Sequence, residues 1–256
     1  MTEALDDGAL LSENSNMNPQ PSRIDIHRMF DRIAPRYDLL NRLLSFGMAS
    51  AWRRRIAELL RDKKGPNVLD VATGTADLLI SLFSAGVDIS SAVGLDLSAN
   101  MLAIADRKLR RRRLDSVVSL RLADAMNLPF SQSAFDVATC AFGIRNVTDV
   151  ATALKQMHRV LKPGGKIFIL EFSIPKNRVI RTLYLLYFRN IVPLLGRLIS
   201  GDSFAYRYLN MTSESFASGG EFCSLLQNAG FINAEAIPMT FGIVSLYYAD
   251  KPAELL

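Results

Sequence analysis

The apolar positions of this chain change period once, and that change divides it. Near the N-terminus Met29, Phe30 and Ile33 recur at helical spacing, and Pro35 is expected to end that helix, with Tyr37-Asp38 in the break. Leu39–Leu44 and Ala51–Leu60 read as two more helices separated by Ser45-Phe46-Gly47. From Asn67 the pattern becomes short apolar runs alternating with amphipathic stretches. The expected strands are Val68–Ala72, Ala92–Leu97, Val117–Ala123, Phe135–Phe142 and Lys166–Phe172; the expected helices between them are Ala76–Ser84, Ala99–Arg112 and Val150–Leu161. Lys162-Pro163-Gly164-Gly165 stops the last of these and turns into the fifth strand. Continuous apolar strands between amphipathic helices imply an α/β fold with a parallel sheet covered on both faces. Ser213–Gly230 then reads as a helix, and Phe231–Pro238 and Phe241–Tyr248 as two strands joined by a short turn, hence antiparallel.

Ligands on open α/β sheets sit outside the carboxyl ends of the strands, so three loops matter. The first is Val68–Leu78, where a strand meets Thr73-Gly74-Thr75 and then a helix. Such a turn is expected to aim backbone N–H groups at an anionic ligand, helped by the partial positive charge of the helix N-terminus. Asp70 on the strand can reach an ammonium through water or serve as a structural carboxylate. The second is Asp96, at the end of the next strand, placed to accept from both ribose hydroxyls. The third is Asp124-Ala125, where the carboxylate can hold an adenine amino group. The turn lacks a full G-x-G-x-x-G, because Ala72 and Ala76 stand where flanking glycines would be. That suits the methionine end of S-adenosylmethionine better than a dinucleotide pyrophosphate.

Length and composition bound the rest. The 256 residues are 49% hydrophobic, enough for a full core. A tail over residues 1–23, polar and without a signal-peptide pattern, is expected to be disordered, ahead of one domain over residues 24–256 with a helical cap at 24–62. A net charge of +5 is too small an excess to imply nucleic acid. Two cysteines, Cys140 and Cys223, without metal-type spacing suggest neither a metal site nor a disulfide framework, and fit the cytoplasm. Val179–Ser200 is strongly apolar, yet Arg181, Arg189, Asn190 and Arg197 interrupt it and Pro193 would kink it. A spanning helix needs about 20 largely uncharged residues, so the insertion at 176–208 is expected to shelter a lipid-borne substrate at a membrane surface, or to pack on the core or on a second subunit as a homodimer.

Five parallel strands plus a terminal hairpin resembles the seven-stranded class I methyltransferase arrangement. The resemblance sharpens in Met29-Phe30-Asp31-Arg32-Ile33-Ala34-Pro35-Arg36-Tyr37-Asp38, in Ala141-Phe142-Gly143-Ile144-Arg145-Asn146-Val147, and in Arg159–Gly165 with Leu170-Glu171-Phe172. Tyr206-Arg207-Tyr208-Leu209 and Ala229-Gly230-Phe231 extend it. From about Ile24 to Tyr248 the chain resembles the C-methyltransferases of menaquinone and ubiquinone biosynthesis. The resemblance implies S-adenosylmethionine as cofactor, at Thr75, Asp96, Asp124 and Ala125, with Gly74 and Asp70 beside them. It implies methyl transfer to a ring carbon of a polyprenylated quinol: demethylmenaquinol alone, or also the ubiquinone precursor. Ala141 stands where the family often has serine, and Ala76 where many members have glycine.

Methylation at carbon needs an electron-rich ring, which loss of the quinol hydroxyl proton provides. A phenolic hydroxyl titrates near 10, so the site must stabilise the anion. Arginine stays protonated and is no ordinary base. Beside the quinol oxygen, Arg145 would instead lower the hydroxyl's pKa. The resemblance places Asn146 and Tyr37 with it. Bland alternatives are an Arg145 pairing with Asp149 or capping a helix, an Asn146 that only forms a turn, and a Tyr37 buried in the core. A non-catalytic cofactor-binding subunit and a nicotinamide oxidoreductase are the competing classes.

Overall fold

Period-two alternation sorts the strand side chains onto two faces. Val68, Val137, Phe168 and Leu170 join one buried cluster, whereas Leu69, Val71, Ala138, Cys140, Ile167 and Ile169 join another. The structure is a computed structural model that describes residues 23–194, 212 and 216–253. Its strands are β1 (Asn67–Val71), β2 (Ser91–Asp96), β3 (Val118–Leu122), β4 (Phe135–Ala141), β5 (Leu161–Phe172), β6 (Ile232–Met239) and β7 (Val244–Asp250). They form one seven-stranded sheet in the order β3-β2-β1-β4-β5-β7-β6. The five strands of the alternating region pair in parallel, and β7 is antiparallel to both β5 and β6. Helices α2 (Ala49–Leu60), α3 (Asp77–Ser84) and α4 (Ala99–Arg111) supply the first cluster; α5 (Val150–Val160) and α7 (Gly220–Asn228) supply the second. This is the doubly covered sheet that the sequence pattern implies.

A third cluster lies beyond the strand ends. It joins Met29, Ile33, Ala34 and Leu40 of α1 (Arg23–Leu44) to Met101 of α4 and to Tyr184, Phe188 and Val192. Tyr184 belongs to α6 (Arg178–Leu186), which runs into a π-helical turn at Tyr187–Ile191. Burying each such side chain contributes about 1.5–3 kcal/mol, which holds α1 and α6 together over the sheet.

Five expectations need correction. Pro35 does not end the first helix: α1 continues through it, with no break at Tyr37-Asp38. Pro35 has no N–H for the carbonyl of Asp31, and Asn100 Nδ2 of α4 donates to that oxygen instead (3.3 Å). The helix expected over Ser213–Gly230 begins only at Gly220; Phe216–Gly219 are not helical, and 213–215 lie outside the described residues. Phe241 is not in the last strand but in a 3-10 turn at Thr240–Gly242, where its φ is +57°. Lys162–Gly165 make an excursion within β5, whose register jumps from Phe135↔Leu161 to Val137↔Lys166. Of the tail expected over 1–23, Arg23 instead opens α1 and residues 1–22 lie outside the described residues, as do Arg197 and Tyr206–Leu209.

Candidate functional site

The β1–α3 turn is built differently from the expected anion cradle. Its N–H groups are largely used within the protein: Thr73 N–H donates to Leu95 O, Ala76 N–H to Thr73 O, and Gly74 N–H to Asp96 Oδ2 (2.8 Å). The helix starts at Asp77 and not Ala76, which caps it in the left-handed region at φ +63°. Ala72 is also left-handed, at φ +54°. The Cβ makes that conformation cost about 1–2 kcal/mol, which explains why glycine suits both positions.

What the turn does offer is a wall. A cavity of about 100 Å³ lies over the strand ends, lined by Gly74, Asp96, Asp124 and Ala125 among others. Asp96 spans its floor: Oδ2 accepts from Gly74 and Oδ1 from Ser98 N–H (2.9 Å). A carboxylate has about four acceptor positions, and these two bonds fix its orientation in the cavity wall. Asp124 Oδ1 accepts from Met126 N–H (3.0 Å), which fixes the carboxylate at the rim. Gly143 closes one side; a Cβ there would lie 2.4 Å from the Ala72 Cβ.

Asp70 and Thr75 stand apart from that cavity. They line a small pocket of about 30 Å³ with Arg53, Thr73 and Asp77. Asp70 is buried, and accepts from Thr73 Oγ1 (2.7 Å) and Thr139 Oγ1 (2.6 Å). Thr75 Oγ1 donates to Asp38 (2.6 Å) and accepts from Lys108 Nζ (3.0 Å). Lys108 also pairs with Asp38 and Asp77, and Arg53 with Asp77 (3.1 Å). This network ties α1, α2, α3 and α4 together at the pocket.

Burial pushes the Asp70 carboxyl up to about 6, against the two threonine hydroxyls that lower it. Unfolded, it titrates near 3.8, so between those values the folded state binds the proton more tightly. The contribution of Asp70 to stability is therefore full below about pH 4 and falls as pH rises to about 6, by roughly 3 kcal/mol. Asp70→Asn is expected to flatten the melting temperature across that window and to raise it at pH 7. Thermal melts at the two ends of the window check this; a wild-type slope in the variant would remove Asp70 as its source.

The second cavity, about 250 Å³, is mostly apolar and lies under α1 and α6. Trp52, Phe142 and Phe172 form an aromatic wall, with ring centroids 4.8–6.4 Å apart. Arg145 enters this cavity from the 3-10 turn Ile144–Asn146 after β4. Its side chain is only 6% exposed, and Nη1 pairs with Glu171, which is fully buried. The guanidinium lies 5.2 Å from the centroid of the Phe172 ring, and its Nε has no hydrogen-bond partner among the described residues. Arg145 thus pairs with Glu171 and not Asp149; Asp149 caps α5 by accepting from Thr152 N–H. Burial pushes the Glu171 carboxyl up even though Arg145 pulls it down.

Phe30, Tyr37, Phe142 and Asn146 line both cavities, so the two meet across these four side chains. Tyr37 also reaches the small pocket, and packs edge-on against Phe30. Burial pushes its phenol up, against a hydrogen bond with Asn41 and the charges of Arg145 and Arg53. Asn146 Nδ2 donates weakly to Phe142 O (3.5 Å).

A cavity that carries two carboxylates and a second, mostly apolar cavity that share a wall suit a reaction joining a polar cofactor to an apolar acceptor. Comparison with known proteins decides which. A family profile described as the ubiE/COQ5 methyltransferase family matches residues 17–251. The chain belongs to this family. It is 44% identical over 226 residues to a demethylmenaquinone methyltransferase of Thermus thermophilus, covering 88% of this chain and 100% of that one. It is 42% identical over 234 residues to the demethylmenaquinone methyltransferase of Chlorobaculum tepidum, covering 90% and 93%. A ubiquinone/menaquinone biosynthesis C-methyltransferase UbiE of Geotalea uraniireducens is 41% identical over 88% of this chain and 96% of its own. Among solved structures, a SAM-dependent methyltransferase of Aquifex aeolicus has a TM-score of 0.58 at 18% identity, covering 90% and 99%, which establishes the shared fold. This methyltransferase takes its methyl group from S-adenosylmethionine, and the first cavity fits that cofactor: a fixed diacceptor at Asp96, a second carboxylate at Asp124, and bare backbone at Gly74 and Gly143 between them.

Sequence reading missed Glu171 as a site residue. It is a lone acid at the end of the apolar run Ile167–Phe172, and a charge at that position was the available signal. Among the described residues no group of His, Cys, Asp or Glu is arranged to hold a metal ion, and no helix is long and apolar enough to cross a membrane.

Proposed function

We propose that this family member methylates a ring carbon of demethylmenaquinol, a 2-polyprenyl-1,4-naphthoquinol, to give menaquinol. The observation that carries the reading is the shared wall of Phe30, Tyr37, Phe142 and Asn146. It puts a buried arginine in an apolar chamber next to the cofactor chamber. S-adenosylmethionine supplies a methyl group already activated on sulfur. Asp96 holds its ribose and Asp124 its adenine amino group against Ala125. Gly74, which lines both the first cavity and the small pocket, leaves room for the cofactor's backbone-facing edge, and the small pocket with Asp70 and Thr75 takes its ammonium end.

The chain's own work is to make the acceptor electron-rich. Arg145 Nε–H, without a partner of its own, donates to the quinol oxygen. That stabilises the oxyanion as the hydroxyl proton passes through a water to solvent and pushes charge to the ortho carbon. The ortho carbon takes the methyl group from sulfur and then gives its own ring proton to solvent, restoring the aromatic quinol. The aromatic wall holds the ring flat, and Tyr37 and Asn146 keep the acceptor carbon facing the cofactor chamber while excluding water. The relatives named as demethylmenaquinone methyltransferases favour the naphthoquinol. The relative named for both quinones favours a second, dual reading in which the ubiquinone precursor is also methylated.

Residues 24–256, with Arg23 as the first residue of α1, act as one catalytic domain, working peripherally at the cytoplasmic face of the membrane that holds its substrate. The test is direct. Full-length enzyme with S-adenosylmethionine is given a prenylated naphthoquinol or a prenylated methoxybenzoquinol, and methylated product is measured. Turnover of the naphthoquinol is expected. Turnover of both establishes the dual enzyme; turnover of the benzoquinol alone, or of neither, overturns the proposal.

A further inference from the structure

Helix α6 has two apolar faces. Tyr184, with Phe188 and Val192 beyond it, is buried against α1. Val179, Leu183 and Leu186 follow the other helical spacing, i, i+4, i+7, and are 68%, 62% and 56% exposed. Ile191 and Leu194 are also exposed further along, as is Phe46 at 73% just past the end of α1. Single exposed leucines are ordinary; a stripe along a helix whose opposite face is already packed is a second contact surface.

Charge says what the surface meets. Between Phe172 and Leu194 the chain has four basic residues, Lys176, Arg178, Arg181 and Arg189, and no acidic one. All four are exposed. The nine residues of α6 are too few to span a bilayer. An apolar stripe edged by arginine instead suits a helix lying in the headgroup plane.

The surface is continuous with the second cavity. Tyr187 lines that cavity, its hydroxyl donates to Leu44 O (3.2 Å), and its ring stands 5.5 Å from the ring of Phe46. The corner where the cavity wall meets exposed apolar surface is thus the Phe46–Tyr187 pair.

We propose that the outer face of α6, extended by Phe46, docks on an anionic lipid bilayer, and that the polyprenyl chain of the substrate enters the second cavity beside the Phe46–Tyr187 pair. The surface itself stands on exposure and charge; the entry route rests on the quinol reading above. Docking leaves the naphthoquinol head free to reach Arg145 while its tail stays in lipid.

The experiment is flotation of the full chain with phosphatidylcholine vesicles, with and without phosphatidylglycerol, in the absence of substrate. Wild type is expected to float with the anionic vesicles. Leu183→Asp/Leu186→Asp, both changes on the surface, is expected to lose at least about tenfold in vesicle affinity, as is Arg178→Glu/Arg181→Glu. The leucine variant is expected to keep wild-type turnover on a tail-less naphthoquinol in solution, and to show an about tenfold higher KM for the long-tailed quinol in vesicles. Vesicle affinity equal in wild type and variants overturns the proposal. So does a variant that changes a dimer into a monomer by light scattering without changing flotation, because the face then joins two copies of the chain. Wild-type turnover of the tail-less quinol reports on the function separately from docking.

Discussion

Arg145→Ala is expected to lower kcat by about 10²–10³-fold, equivalent to about 2.7–4 kcal/mol of lost oxyanion stabilisation, with S-adenosylmethionine affinity retained. The split follows from placement. Arg145 lines the apolar chamber and is absent from the lining of the cofactor chamber. Its Nε–H is a buried donor with no partner among the described residues, on a side chain that lines that chamber. In a dry, aromatic cavity such a cation acts far more strongly than in water. Calorimetric titration of cofactor and single-turnover assays on the naphthoquinol check both halves. Unchanged turnover would remove Arg145 from the chemistry; loss of cofactor binding would place its effect in the fold.

The second large effect is on stability. Glu171→Ala is expected to destabilise the protein by about 3–5 kcal/mol, because it strands the Arg145 cation in a site that is almost closed to water. Phe172 N–H, which donates to Glu171 Oε1 at 2.9 Å, loses its acceptor as well. Yet the pair itself is not where the stability comes from. Burial pushes Glu171 up in spite of Arg145, so the attraction does not fully offset the loss of water around the carboxylate. Changing both partners to apolar residues, Arg145→Met with Glu171→Leu, is therefore expected to restore stability to the wild-type level or above. That double variant should still be inactive. Urea unfolding of the two singles and the double gives the cycle, and turnover of the double variant separates folding from catalysis. If it unfolds as readily as the single variants, the buried pair is a structural strut and not a device for holding Arg145 in place.

Local patterns carried much of this molecule. The strands, their helices and the terminal hairpin were legible because each depends on period-two or helical spacing within a dozen residues. Asp96 and Asp124 were legible because a strand end dictates where the next side chain points. Errors fell where a distant group intervened. Pro35 reads as a stop, yet Asn100 supplies the hydrogen bond that Asp31 would otherwise lack. The β1 turn reads as open N–H groups, yet Asp96, from the next strand, takes the one at Gly74.

From sequence alone the fold class, the two acidic residues at the strand ends and the family motifs around Tyr37 and Arg145 were determined. The partner of Arg145, the common wall of the two cavities and the second apolar face of α6 were decided only by tertiary structure. β4 and β5 are neighbours in the sheet, so the turn after one lies against the end of the other, and Arg145 meets Glu171 across 26 residues of chain. α1 crosses above those same strand ends and brings Tyr37 into the wall that Asn146 also lines. Side-chain periodicity states which face of an element is buried; which element it is buried against depends on strand order and helix placement, and no local spacing encodes that.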